Sequence, residues 1–128
     1  MESVSVTVWV GRVLSGIAVA FLLFDASAKL MKVAPVIEGS TKLGYPESAV
    51  FPIGVMLLLG VVLYAIPKTS VLGAIYLAAY LGGAVATHFR VGSPLATHTL
   101  FPVYVAVFVW GGLALRHPRL TSVLLGAS

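Results

Sequence analysis

Asp25 and Lys29 stand four residues apart near the end of a long apolar run, so on a helix they share one face. A carboxylate and an ammonium at that spacing form a self-neutralising pair at a helix end, with the lysine stem reaching to the interface. The same two groups inside a bundle form a ligand or proton site. A bare carboxylate at the centre of a membrane helix costs roughly 2.5–3.5 kcal/mol, which is why such groups default to function. His88 closes a second apolar run, and a neutral imidazole beside a half-buried carboxylate is an acid–base pair if the two meet. His98 precedes a third run. Pro102 cannot donate to the His98 carbonyl, nor Pro52 to that of Ser48. Those oxygens need a side chain, water or ligand. Two imidazoles without a third ligand make a poor zinc site. A bis-histidine haem would draw its ligands from within spans rather than from both edges of one loop.

Such residues need rigid carriers, and composition says what kind. The chain has 128 residues, 59% hydrophobic and 9% charged. A soluble domain carries about a quarter charged residues, so with a mean hydropathy of +1.06 the solvent is the bilayer. There is no Cys, which removes disulfides, thiolate metal sites and thiol relays. The net charge is +4, but the eight Lys and Arg are scattered with no basic run. That pattern fits anchoring at lipid headgroups and not nucleic-acid binding.

Four apolar stretches, about 9–31, 48–66, 70–89 and 99–115, are each about long enough to cross the hydrocarbon. Backbone groups cannot stay unpaired in lipid, so these are helices, and the fold is an all-α, integral membrane four-helix bundle in a single domain. Pro67-Lys68-Thr69 leaves only a tight antiparallel turn between the second and third spans. Val33–Glu47 is the longest connection and has room for a short interfacial helix, while 90–98 reads as a loop. The tail after Arg116 suits the membrane surface. Ala26-Ser27-Ala28 has the form of a signal-peptidase site, but Glu2 and the late Arg12 make a poor leader.

The order of spans puts Asp25, Lys29, Glu47, His88, Arg90 and His98 toward one membrane face, where a small wet pocket is expected. The opposite face receives only anchors. Asp25 falls about two turns inside its interface, taking Arg12 and Lys32 as the limits of the first span. The candidate catalytic set is Asp25, Lys29, His88 and His98. Glu47, Tyr76, Tyr80 and Arg90 are candidate ligand-binding residues, with Tyr76 and Tyr80 on a shared face of the third span. Trp9 and Tyr64 read as interfacial belt residues, and Tyr104 and Trp110 as helix packing. Ala74, Ala78, Gly82 and Ala86 run at four-residue spacing beside Ile75, Ala79, Gly83 and Thr87. Small residues in such rows let helices approach closely within the bundle, or form a homodimer seam. Phe51-Pro52-Ile53-Gly54-Val55 and Phe101-Pro102-Val103-Tyr104-Val105 echo one another, as relic duplication or as chance. Charge does not orient the chain: Arg12, Lys68, Arg116 and Arg119 balance Lys29, Lys32, Lys42 and Arg90.

In order, Phe24-Asp25-Ala26-Ser27-Ala28-Lys29-Leu30, Leu43-Gly44-Tyr45-Pro46-Glu47, Gly83 to Arg90, His98-Thr99-Leu100-Phe101-Pro102 and Trp110 to Arg116 form a pattern across nearly the whole chain. It resembles the DoxX-like family of small four-span membrane proteins. That family is named for a membrane subunit associated with thiosulfate:quinone oxidoreductase. Its more distant eukaryotic relatives look like assembly chaperones or cargo receptors. The resemblance implies cytoplasmic termini, an outward-facing polar cluster, and partnership with a membrane redox protein.

Three functions follow as expectations. In the first, the protein is an oxidoreductase-associated subunit holding a quinone or similar lipophile, with His88 or His98 donating to a quinone oxygen and Asp25 with Lys29 handling protons. In the second, it is a stand-alone acid–base enzyme on a lipophilic substrate. In the third, it is a chaperone or binding module without chemistry.

Overall fold

The computed structural model describes residues 5–126, so Glu2 and the end of the tail lie outside the described residues. Ser5 starts helix α1 (Val6–Leu30), its hydroxyl accepting from the Val8 amide at 3.3 Å. A short α2 (Ala34–Lys42) follows in the long connection, as its length allowed. A 3₁₀ turn, Glu47–Ala49, leads into α3 (Val50–Ala65), and another, Pro67–Thr69, turns the chain into α4 (Ser70–Arg90). Then come a π turn (Leu95–Thr99), α5 (Phe101–Arg116) and α6 (Pro118–Leu124). The segment expected as a loop from 90 to 98 is therefore more ordered: α4 runs through Arg90, and the π turn begins at Leu95. Among the described residues there is no strand.

Four helical segments are long and apolar enough to cross a membrane: Val6–Leu30, Glu47–Ala65, Pro67–Arg90 and Leu95–Arg116. The protein is a multi-pass, all-α membrane bundle. Its outward surface agrees, with Val13, Phe24, Leu59, Ile75 and Val107 all more than half exposed, where lipid rather than water covers them.

The spans form a ring. α1 packs on α3 and α5, and α4 packs on α3 and α5 from the other side, so α1 and α4 are diagonal. The centre is filled by Leu22, Leu57, Leu77, Val109 and Leu113, all fully buried.

Glycines set the closeness at one end. A Cβ on Gly73 would run into the Tyr64 backbone across the α3–α4 hairpin, and one on Gly11 would meet the Gly112 carbonyl oxygen at 2.7 Å. Gly60 takes the ring of Tyr76 against its backbone. Between these contacts lies a polar network that corrects the reading of Tyr64 as a belt residue. Tyr64 is 2% exposed; its hydroxyl donates to the Val109 carbonyl at 2.6 Å and bonds Ser15 Oγ at 2.7 Å. Arg116 donates to Ser15 Oγ at 3.0 Å and to the Gly112 carbonyl at 3.2 Å. A phenol in an apolar core needs such partners, because an unmade hydrogen bond there costs more than a made one gains.

The α4 row of small residues packs within the bundle only at its start. Ala74 is buried, but Ala78, Gly82 and Ala86 are exposed, and a Cβ on Gly82 or Gly83 would meet nothing within 4 Å. Most of that row faces out of the bundle.

Candidate functional site

At the end of the bundle away from Gly11 and Gly112, three helical segments stop with the same device. After α1, Lys32 takes a left-handed φ of 52°, Lys32 N–H donates to the Lys29 carbonyl, and Val33 N–H to that of Ala28. Gly44 after α2 (φ 94°) and Gly92 after α4 (φ 74°) repeat the pattern, with Tyr45 N–H donating to Ser40 and Ser93 N–H to His88. This doubly bonded stop satisfies the last carbonyls of a helix and reverses the chain sharply. It folds α2 back across the end of the bundle. Two contacts hold it there: Tyr45 Oη to Thr87 Oγ1 at 3.0 Å, and Arg90 Nη2 donating to the Leu43 carbonyl at 3.2 Å.

Beneath this roof the four spans part and leave a cavity of about 520 Å³. Leu22, Leu81 and Val105 form its inner end, Ile53 and Met56 one side, and Ser40, Leu43 and Tyr45 the roof. Its polar wall is Asp25 and Lys29 from α1 with Tyr80, Thr87 and His88 from α4. Cavities of this size with apolar walls and a few polar groups are the usual form of a small-molecule site.

The polar groups divide into engaged and free. Lys29 Nζ is paired with the Asp25 carboxylate; the side chains are 17% and 31% exposed. The pair is thus half-sheltered, and each ion offsets the desolvation of the other. His88 Nδ1 bonds Ser93 Oγ at 3.0 Å, which fixes the ring and leaves Nε2 unengaged. The Tyr80 hydroxyl makes no hydrogen bond among the described residues, nor does any bond join Asp25 to His88. Tyr80 and His88 Nε2 therefore hold hydrogen-bonding capacity toward whatever fills the space.

The other candidates named from sequence lie around this wall rather than in it. His98 sits with its ring 6.0 Å from that of His88, edge to face, and its Nδ1 bonds Thr97 Oγ1 at 2.8 Å. Arg90 latches the roof. Glu47 is exposed and faces Lys32 at 3.9 Å. Tyr76 packs on Gly60, one helical stretch below the cavity. Among the described residues no group of three His, Asp or Glu side chains is placed to hold a metal ion.

Sequence reasoning did not find Phe21, Tyr45 or Thr87. Phe21 stands four residues before Asp25, a spacing that puts the two on one helix face. The Tyr45–Thr87 contact joins positions 42 residues apart and has no local signature.

A family model described as the DoxX-like family matches residues 13–112, which include every polar residue of the cavity wall. No curated protein and no solved structure matches the chain.

Proposed function

The chain belongs to the DoxX-like family, and from that premise we propose that it binds a lipophilic ligand, a quinone first among them, as a membrane subunit beside an oxidoreductase. The observation that carries the reading is the pairing of an apolar cavity within the bundle with two unengaged hydrogen-bonding groups, Tyr80 Oη and His88 Nε2. A flat ring with carbonyl oxygens fits that donor set: apolar walls take the ring, and a phenol and an imidazole donate to the oxygens. A quinone held there would supply two-electron, two-proton carrier chemistry to a redox partner. This chain, with no Cys, supplies no thiol relay of its own.

Each residue then has a separate task. Tyr80 and His88 orient the ligand by donating to its oxygens. The Asp25 carboxylate, paired with Lys29, stands at the cavity wall as the group that passes a proton to or from the ligand. The roof of α2, closed by Tyr45 and Thr87, excludes water, which strengthens every one of these contacts. The cavity faces away from the cytoplasm, and both termini lie on the cytoplasmic side.

The test is the content of protein purified in mild detergent with native lipid retained. Extraction and mass spectrometry, with a visible spectrum, should give a stoichiometric quinone or related lipophile that is lost in Tyr80→Phe and Asp25→Asn. Bulk lipid alone, unchanged in both variants, overturns the reading.

One observation favours a second reading, a module that packs on the helices of a partner. The exposed Ala78, Gly82 and Ala86 form a smooth strip on which another helix can lie closely. Gly82→Leu separates the two readings, because the added side chain meets nothing within the bundle. Loss of a co-purifying partner with the fold and ligand intact supports the second.

A further inference from the structure

The cavity is partly open, and contacts close it on most sides. Between α1 and α5 the Phe21 and Phe101 rings pack together, 5.4 Å apart. Between α1 and α3 the Gly54 backbone lies against the Lys29 stem, where an added Cβ would meet Lys29 Cβ at 2.8 Å. Where α4 meets the turn before α5, the His88 and His98 rings stand edge to face. Leu22 and Leu81 seal the inner end. Tyr45 on Thr87 and Arg90 on the Leu43 carbonyl tie down the roof. The remaining side is the seam between α3 and α4.

That seam widens along its length. Tyr64, Gly60, Met56 and Ile53 recur on one side of α3, and Gly73, Tyr76, Tyr80 and Gly83 on the facing side of α4, at spacings of three and four. At the clamped end the two stripes touch: a Cβ on Gly73 would strike the Tyr64 backbone, and one on Gly60 the Tyr76 ring at 2.6 Å. By Gly83 the contact is gone, and a Cβ there would meet nothing within 4 Å. Ile53 and Met56 on α3, and Ala79 and Gly83 on α4, all line the cavity. Met56 is 52% exposed, and Ala79 and Gly83 are exposed too, beside the outward-facing Val55, Ala78 and Gly82. Residues that are at once cavity wall and outer surface form the rim of an opening. The rim lies within the spans, since Gly83 precedes the end of α4 at Arg90 by about 10 Å of helix.

We propose that the cavity's ligand is an uncharged lipophile that passes between the bilayer and the cavity through this window, between Ile53 and Met56 on α3 and Ala79 and Gly83 on α4. The inference rests on the ligand-binding reading above and adds the class of ligand and its route. A charged ligand would shed its water at the rim, where no side chain replaces the lost hydrogen bonds. Ala79 and Gly83 keep the gap free, because a larger side chain at either position would stand in it. Thr87, one turn beyond Gly83, joins Tyr45 as the upper edge, so untying that contact loosens the opening.

The probe is a fully ring-substituted benzoquinone with a single isoprene tail, and Gly83→Leu obstructs the window in the full chain. The leucine has room, since a Cβ at Gly83 meets nothing. Association after mixing and release after dilution are timed in one mild detergent, from saturable quenching of tryptophan fluorescence. Both rates should fall about tenfold, the scale of pushing a packed side chain aside. Obstruction slows passage in both directions, whereas a damaged site releases its ligand faster and an added contact slows release alone. Ala79→Leu, one turn deeper, gives the same two-way slowing if Gly83→Leu does not fold. Unchanged rates, or a change in release alone, overturn the window and leave the ligand-binding reading standing. Saturable binding of the same ring with a sulfonate in place of its tail overturns the uncharged class and the bilayer route. Failure of the isoprenyl probe to bind wild type saturably overturns the ligand-binding reading and this inference with it.

Discussion

The same four helices make two different ends. At the end of Gly11, Gly73 and Gly112 they touch backbone to backbone, and the polar groups there are spent on one another: Tyr64 on Ser15 and Val109, Arg116 on Ser15 and Gly112. At the end of Asp25 and His88 they part around 520 Å³ of space, and Tyr80 and one His88 nitrogen are left unspent. The lesson concerns polarity in lipid. A buried polar group is structural when the protein completes its hydrogen bonds, and a functional candidate when the protein leaves them open beside a space. By that criterion the Tyr64 network is a clamp, and the wall of Tyr80 and His88 is the functional candidate.

Separating the helices at the clamped end should damage the fold most. Gly73→Val forces a branched side chain into the Tyr64 backbone and should cost about 3 kcal/mol or more of stability, the upper range for overpacking. Gly82→Val, on the outer face of the same helix, should leave the thermal unfolding midpoint in detergent nearly unchanged. Equal losses would mean that both glycines act through helix propensity rather than packing.

Next in size is Lys29→Met, which leaves the Asp25 carboxylate in the span without its counter-ion. The loss should be about 2 kcal/mol, below the insertion cost of a central carboxylate because Asp25 keeps about a third of its side chain accessible. Pairing it with Asp25→Asn should restore the unfolding midpoint but not ligand content, which separates the pair's structural part from its part in the site.

Tyr64→Phe sharpens the clamp side. It removes both hydrogen bonds of the phenol and leaves Ser15 and the Val109 carbonyl to find others, at about 1–2 kcal/mol with no change in ligand content. The smallest effect belongs to the roof. Tyr45→Phe unties the connection from Thr87 at under about 1 kcal/mol, the scale of an exposed hydrogen bond. Its readout is kinetic, a faster release of bound probe in a dilution experiment.

Much of this architecture was legible in the sequence, for a physical reason. A helix is the only way for a lone segment to satisfy its backbone in lipid, so hydropathy alone located the spans to within a few residues. The first began earlier than Trp9 because Ser5 caps it. Topology then sorted the ionisable groups by membrane face, and the four-residue spacing paired Asp25 with Lys29. What it could not supply was azimuth. Glu47, Arg90 and His98 are on the face of Asp25 yet outside the cavity wall, because depth along a helix does not say which way a side chain points. Tyr64 misled for a related reason: its depth suited a belt, and its partners lie 49 and 45 residues away. The outward turn of Gly82 was equally hidden, since a row of small residues packs as well on a partner as within the bundle.

Because the sequence has no Cys, a single introduced thiol can report whether the parted end binds a ligand. Ala84→Cys puts the only thiol on the cavity wall, and Ala96→Cys puts it on the exposed π turn at the same membrane face. Their alkylation rates by a small maleimide are measured with and without the short-tailed, fully ring-substituted benzoquinone. The quinone should slow the Ala84→Cys reaction saturably, an effect abolished by Tyr80→Phe, with Ala96→Cys unaffected. An Ala84→Cys rate that the quinone does not alter, or equal slowing at both positions, would contradict it.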